Sequence, residues 1–264
     1  MDQKKKRPDR ADRPSGEIVA GRNAVRELLL TGRSVDRVFV AKGDGRLGEL
    51  VALAKEAGVP VVDAERPKLD AMCGGIAHQG VAAVTAAHEF ASLDDVFRLA
   101  EVRGERPLVV VCDGIEDPHN LGAIIRSAEC AGAHGVVIPK RRSVGLNATV
   151  AKASAGAVEY VPVVRVSNIP ELIEKLKSSG LWVYAADMGG SPYREADFDR
   201  GVAIVLGSEG GGISPLAKKR CDAVVSIPMY GRINSLNVSA AAAILLNHAA
   251  ISQREGGVSH VKEK

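Results

Sequence analysis

From residue 203 to 247 the chain passes through a short apolar run, a glycine-rich turn, a second apolar run and an alanine-rich stretch without a break, and few folds accept that order. Ala203, Ile204, Val205 and Leu206 are closed off by Gly207, which suits a strand covered on both faces. The turn Gly207-Ser208-Glu209-Gly210-Gly211-Gly212 carries one carboxylate and no bulky side chain, so a ligand can come close to its backbone. Ser214 as N-cap and Pro215 at the first helical position predict a short helix to about Arg220. Residues 223–227 read as a second strand ended by Pro228, and the polar connection 229–237 leads into a helix over 238–246 with small residues along it. Two strand-end loops then meet at one edge of a sheet, where open α/β folds bind ligands.

Upstream, strands are expected at 108–112, 135–138, 160–164 and 181–185, with helices at 121–131 and 169–178 and a turn-rich loop at 113–120. That alternation predicts an α/β fold whose sheet is mostly parallel, with helices on both faces. The N-terminal part reads as a smaller α/β unit. A helix opens at Gly21-Arg22-Asn23 with Asn23 as its cap, and a strand at 35–41, a helix at 47–57, a strand at 59–62, a short helix at 68–72 and a strand at 80–85 follow. Between the two, Ser92 and Asp95 signal a helix start within a charged linker. A chain of 264 residues is long enough for two such units.

The net charge of +3 is carried by residues 1–16, where six basic side chains face three aspartates, and the remaining body is formally neutral. Such an arm is expected to be disordered, serving either to attract phosphates or simply to solubilise. No apolar stretch approaches the length of a membrane span and no hydrophobic segment follows the charged N-terminus, which points to a cytoplasmic protein. Cys73, Cys112, Cys130 and Cys221 are scattered without metal-ligand spacing and read as buried free thiols. His119, His134 and His248 likewise show no ligand spacing, so no metal is expected.

One competing signal lies near the N-terminus. Gly43-Asp44-Gly45-Arg46-Leu47-Gly48 fits G-x-G-x-x-G between an expected strand and helix, and Asp63 follows about where a dinucleotide-binding fold places its ribose-binding acid. Taken alone, it describes an NAD-dependent oxidoreductase; its plain alternative is a flexible turn.

Residues 120–127, then Leu206-Gly207-Ser208-Glu209-Gly210, then Ile227-Pro228 with Ser235-Leu236-Asn237-Val238-Ser239, resemble in order the three motifs of the SpoU/TrmH family of RNA ribose 2'-O-methyltransferases, of the SPOUT superfamily. The resemblance spans residues 18–248 and outweighs the N-terminal glycines. It implies a C-terminal sheet tied into a trefoil knot that makes the S-adenosyl-L-methionine site, and an L30e-like RNA substrate-binding domain ahead of it. The division it implies is a basic tail at 1–16, a substrate-binding domain at 17–87, a linker at 88–106, a methyltransferase domain at 107–252 and a tail at 253–264. It further implies a homodimer with its site near the subunit boundary, most similar to members that modify a guanosine of 23S ribosomal RNA; related members act on tRNA or on other rRNA sites.

A ribose hydroxyl is a poor nucleophile, so the protein must place it in line with the methyl and help remove its proton. By resemblance Arg126 is the catalytic arginine. An arginine stays protonated in proteins, so its expected role is to hold a phosphate and stabilise the developing alkoxide, with a structural ion pair to Glu209 as the alternative. Asn120 either supports Arg126 or the loop, or caps a helix. Glu209 either orients Arg126, binds ribose hydroxyls, or is a solvated loop carboxylate. Ser235 and Asn237 either contact cofactor or RNA, or cap the helix that includes Ala240. Cofactor contacts are implied at Leu206, Gly207, Ile227 and Leu236. Lys140, Arg141, Arg142 and Arg232 offer charge to phosphates, or form solvated loops.

Overall fold

The computed structural model describes residues 17–86 and 88–261; the basic arm expected at 1–16 lies outside them. The chain divides into two units between residues 87 and 88. In the first, β1 (Glu17–Ala20), α1 (Arg22–Leu30), β2 (Val35–Ala41), α2 (Gly48–Glu56), β3 (Val61–Ala64), α3 (Arg66–Cys73) and β4 (Val81–Thr85) follow in sequence. The sheet order is β1-β4-β2-β3, with only β2 and β3 parallel. Side chains two apart share a face of a strand, so Val38 and Val40 pack with Leu28 and Leu50 on one side, while Phe39 and Ala41 pack with Leu69 and Cys73 on the other. Asn23 is not the cap of α1; Gly21 precedes the helix with φ 102° and Asn23 is exposed in its first turn.

The second unit contains α4 (Leu93–Arg103), β5 (Leu108–Asp113), α5 (Pro118–Cys130), β6 (Gly135–Pro139), α6 (Ala148–Ala153), β7 (Val163–Val166), α7 (Ile169–Ser178), β8 (Trp182–Pro192), β9 (Val202–Gly207), α8 (Pro215–Arg220), β10 (Ala223–Ser226) and α9 (Val238–Val261). Its six strands run in the order β10-β8-β9-β5-β6-β7, and every pairing is parallel. The continuous apolar runs sort by alternation: Leu108, Val110, Ile204 and Leu206 join Ile124, Ile125 and Leu245 on one face. Val109, Val111, Ala203 and Val205 join Ile173, Leu176 and Ala217 on the other. The Ser92–Asp95 signal is a reciprocal capping box, and α4 buries Val96 and Ala100 within this unit. Helix α9 continues to Val261, into the stretch expected as a tail.

The strand order reverses between β5 and β9. After β5 the chain builds outward through β6 and β7, then returns to lay β8 and β9 on β5's other side, so the loops leaving β5 and β9 open at a topological switch point. Cys73 and Cys112 are buried, and burial pushes the Cys112 thiol up to about 12. Cys130, expected to be buried, is exposed near the end of α5. Among the described residues no helix is long and apolar enough to cross a membrane.

Candidate functional site

The loop after β9 folds back on itself directly: Ser208 and Gly212 exchange backbone hydrogen bonds of 3.1 and 2.9 Å. A side chain at Gly207 would place its Cβ 2.1 Å from the carbonyl carbon of Gly212, so only glycine permits the closure. The same loop is tied to β5 by Ser214, whose backbone N–H donates to Asp113 Oδ2 at 2.8 Å; the Ser214 side chain does not cap α8.

Across this loop three side chains from three separate segments form one network. Asn120 donates through Nδ2 to Glu209 Oε1 at 3.1 Å, and Asn237 donates through Nδ2 to the same oxygen at 2.6 Å and to Asn120 Oδ1 at 2.9 Å. Asn120 is 8% exposed and belongs to the first turn of α5, which is capped by Asp117 accepting from the His119 N–H. Capping is therefore not what Asn120 does. Asn237 does cap α9: its Oδ1 accepts from the Ser239 N–H at 2.9 Å, while its amide nitrogen is free to reach Glu209. Glu209 is thus an oriented carboxylate, with Oε1 shared by two amide donors and Oε2 available as an acceptor.

Two cavities lie on either side of this loop, and residues 208–212 line both. The larger, about 980 Å³, is bounded by Leu206, Gly207, Ile227, Ser235 and Leu236, all expected site residues, together with Glu209 and Asn237. A register shift between β8 and β10 at Val224/Val225 leaves residues 186–190 unpaired with β10, and Ala186 to Gly189 join the lining. No lysine, arginine or histidine stands among its lining residues, and the Asp187 carboxylate is held by Lys218 at 2.7 Å. The smaller cavity, about 600 Å³, is lined by Asn120, Glu209, Asp113, Glu116, Arg141 and Arg142 among others, so it presents both signs of charge.

Arg126 is not brought to either cavity. It is exposed on α5, and Glu209 takes its hydrogen bonds from the two asparagines rather than from this guanidinium. Arg232 and Lys140 also lie outside both linings. No motif marks Asp113 or Asp187 in the sequence, although each sits at or just beyond the end of an expected strand, where ligand-facing loops begin.

The N-terminal glycines do not make a dinucleotide site. Asp44 occupies the turn and caps a 3-10 turn over Gly45–Leu47, bound by the Arg46 side chain at 2.9 Å, which holds its carboxyl below the usual carboxylate range. The strand order also has antiparallel neighbours where a doubly wound sheet has parallel ones. No group of side chains suited to a metal ion occurs among the described residues. His134 is structural: its Nδ1 accepts from the Leu108 N–H at 3.0 Å, its Nε2 faces Glu105 at 3.1 Å, and burial lowers its pKa.

The comparisons with known proteins agree with this layout. Residues 18–91 match the RNA 2'-O ribose methyltransferase substrate binding domain. A Bacillus subtilis (strain 168) protein, YacO, assigned to the TrmH family of tRNA/rRNA methyltransferases, is 44% identical over 233 residues, covering 87% of this chain and 93% of its own. A Staphylococcus aureus (strain MSSA476) protein of the same assignment is 42% identical over 232 residues, with the same coverage of each chain. Among solved structures, the SpoU methyltransferase AviRb from Streptomyces viridochromogenes, in complex with AdoMet, shares the fold at TM-score 0.74 and 24% identity, covering 90% of each chain. A structure described as an RNA 2'-O ribose methyltransferase aligns at TM-score 0.71 and 26% identity, over 90% of this chain and 88% of its own. Residues 107–247, which hold the reversed strand order, the closed glycine loop and the asparagine–glutamate network, match the SpoU rRNA Methylase family, and the chain belongs to that family.

Proposed function

We propose that this chain transfers a methyl group from S-adenosyl-L-methionine to the 2'-hydroxyl of an RNA ribose, at a guanosine of 23S ribosomal RNA, and acts as a cytoplasmic homodimer. The observation that carries this reading is the Asn120–Glu209–Asn237 network standing in the wall between two cavities. The larger cavity suits the cofactor on its own terms: apolar side chains at Leu206, Ile227 and Leu236 suit an adenine ring, and the absence of cationic side chains from the lining suits a sulfonium. When bound, the cofactor supplies an electrophilic methyl whose leaving group departs neutral.

The chain's own residues do the positioning. Glu209, oriented by two amides, accepts the hydrogen bond of a ribose hydroxyl through its remaining oxygen and takes that proton as the ribose oxygen gains the methyl, and Ser235 stands in the same lining to contact cofactor or ribose. Arg141 and Arg142 offer the smaller cavity guanidinium groups for the flanking phosphates. Arg126 stabilises the alkoxide, and because it lies outside both cavities of its own chain it does so across a subunit boundary, on a second copy. The knotted path expected for the C-terminal strands is part of this reading; it is supported by the second half of β8, the loops after β9 and β10 and the start of α9 all converging on one cavity.

The test is methyl transfer from labelled cofactor to 23S ribosomal RNA fragments and to tRNA, with 2'-deoxy substitution at the modified nucleotide. Transfer that survives the deoxy substitution moves the chemistry to a base, and preference for tRNA moves the substrate. Arg126→Ala is expected to lower turnover by on the order of a hundredfold or more while cofactor affinity stays within about twofold. Loss of both would make Arg126 structural.

A further inference from the structure

The turn that fails as a dinucleotide site has another use. Arg22, the first residue of α1, Arg46 in the 3-10 turn and Arg66, the first residue of α3, all converge on the carboxylate of Asp44, at 3.7, 2.9 and 3.2 Å. Asp44 is itself only 6% exposed. Arg22 is fixed a second time, donating from Nε to the carbonyl of Gln79 at 3.3 Å, and Gln79 holds a left-handed φ of 52°. Three guanidinium groups on one carboxylate leave a local surplus of positive charge, and the nearby Lys42 and Glu65 offset one another at 3.8 Å. Each guanidinium has five N–H donors, so Asp44 engages only a minority of about fifteen.

We propose that Arg22, Arg46 and Arg66 form a phosphodiester-binding site for the RNA strand, with Asp44 as the internal anion that aims them. This rests on reading the chain as RNA-modifying and assigns particular residues of the first unit to RNA contact. Forked guanidinium donors match phosphate oxygens in pairs. Arg46 and Arg66 are 71% and 58% exposed beside an open depression of about 450 Å³, which suits a polymer backbone passing over the surface better than an enclosed small anion.

The experiment uses the full chain and a labelled 23S ribosomal RNA fragment, with binding measured at several salt concentrations. Arg46→Gln with Arg66→Gln is expected to weaken binding about tenfold at physiological salt and to make the log–log salt dependence shallower by about 1.5 to 2. Calorimetry with S-adenosyl-L-methionine should give an unchanged affinity. Arg66→Gln alone, which leaves Asp44 paired with Arg46 and Arg22, should lower the slope by about 1, and it stands in if the double variant does not fold. A folded variant with unaltered affinity and slope overturns the site. Inorganic phosphate is the second probe, and displacement of the RNA at micromolar phosphate would make the cluster a small-anion site and overturn the proposal. Failure of the unaltered chain to bind any RNA would instead overturn the functional reading on which the site rests.

Discussion

Asn237 faces two ways. Its oxygen serves the Ser239 N–H and hydroxyl at the start of α9, and its nitrogen serves Glu209 and Asn120. The sequence offers capping and site chemistry as rivals for this residue, yet a primary amide has an acceptor at one end and donors at the other, so capping leaves the donors free. Serine caps about as well as asparagine but has no amide to give. Asn237→Ser is therefore expected to leave thermal stability nearly unchanged while methyl transfer falls on the order of a hundredfold; Asn237→Ala should in addition cost about 1 kcal/mol of stability. Thermal melts and initial rates on the same preparations separate the two. A rate preserved in Asn237→Ser would reduce this side chain to a cap. The motifs make Asn120, Glu209 and Asn237 legible as candidates, but their joining across 117 residues belongs to the tertiary fold and leaves no mark on local sequence.

Helices α5 and α6 meet where Gly122 has no side chain. A Cβ there would stand 2.5 Å from that of Ala153 and 2.9 Å from both the Ser154 nitrogen and the Val150 carbonyl oxygen, so backbone would have to move. Alanine gains up to about 1 kcal/mol in helix propensity, but overpacking against backbone costs about 1–3 kcal/mol. Gly122→Ala should then be net destabilising by about 1–2 kcal/mol, lowering the melting midpoint by roughly 3–6 °C, and a rise in midpoint would mean that α6 yields freely. Elements with long apolar runs or clear caps are visible in the sequence, as with β2 and α7, whose bounds match the expected ones. Strand β1 was not expected. It has four residues and lies at a sheet edge, specified by backbone pairing to β4 more than by its own pattern. Helix α6 spans six residues, too few to display a helical period, and β8 outruns its apolar core through a glycine pair that no strand pattern predicts.

The two units have separate cores, with apolar clusters on both faces of each sheet. Cofactor and RNA functions should therefore separate on truncation. A fragment of residues 88–264 is expected to fold and to bind S-adenosyl-L-methionine within about threefold of the full chain, while its affinity for ribosomal RNA drops by tenfold or more; calorimetry and filter binding measure the two. An intact RNA affinity would shift the recognition surface wholly into the second unit. The strand alternation made the parallel sheet legible, but not the return of β8 and β9 to the far side of β5, because periodicity carries no strand order. Within the second unit, one strip of five residues, 208–212, fronts on two compartments at once. Guests in the two compartments are then thermodynamically linked, and whatever ratio separates the donor's affinity with and without nucleic acid must reappear, inverted in role but equal in size, when the nucleic acid is titrated with and without the donor.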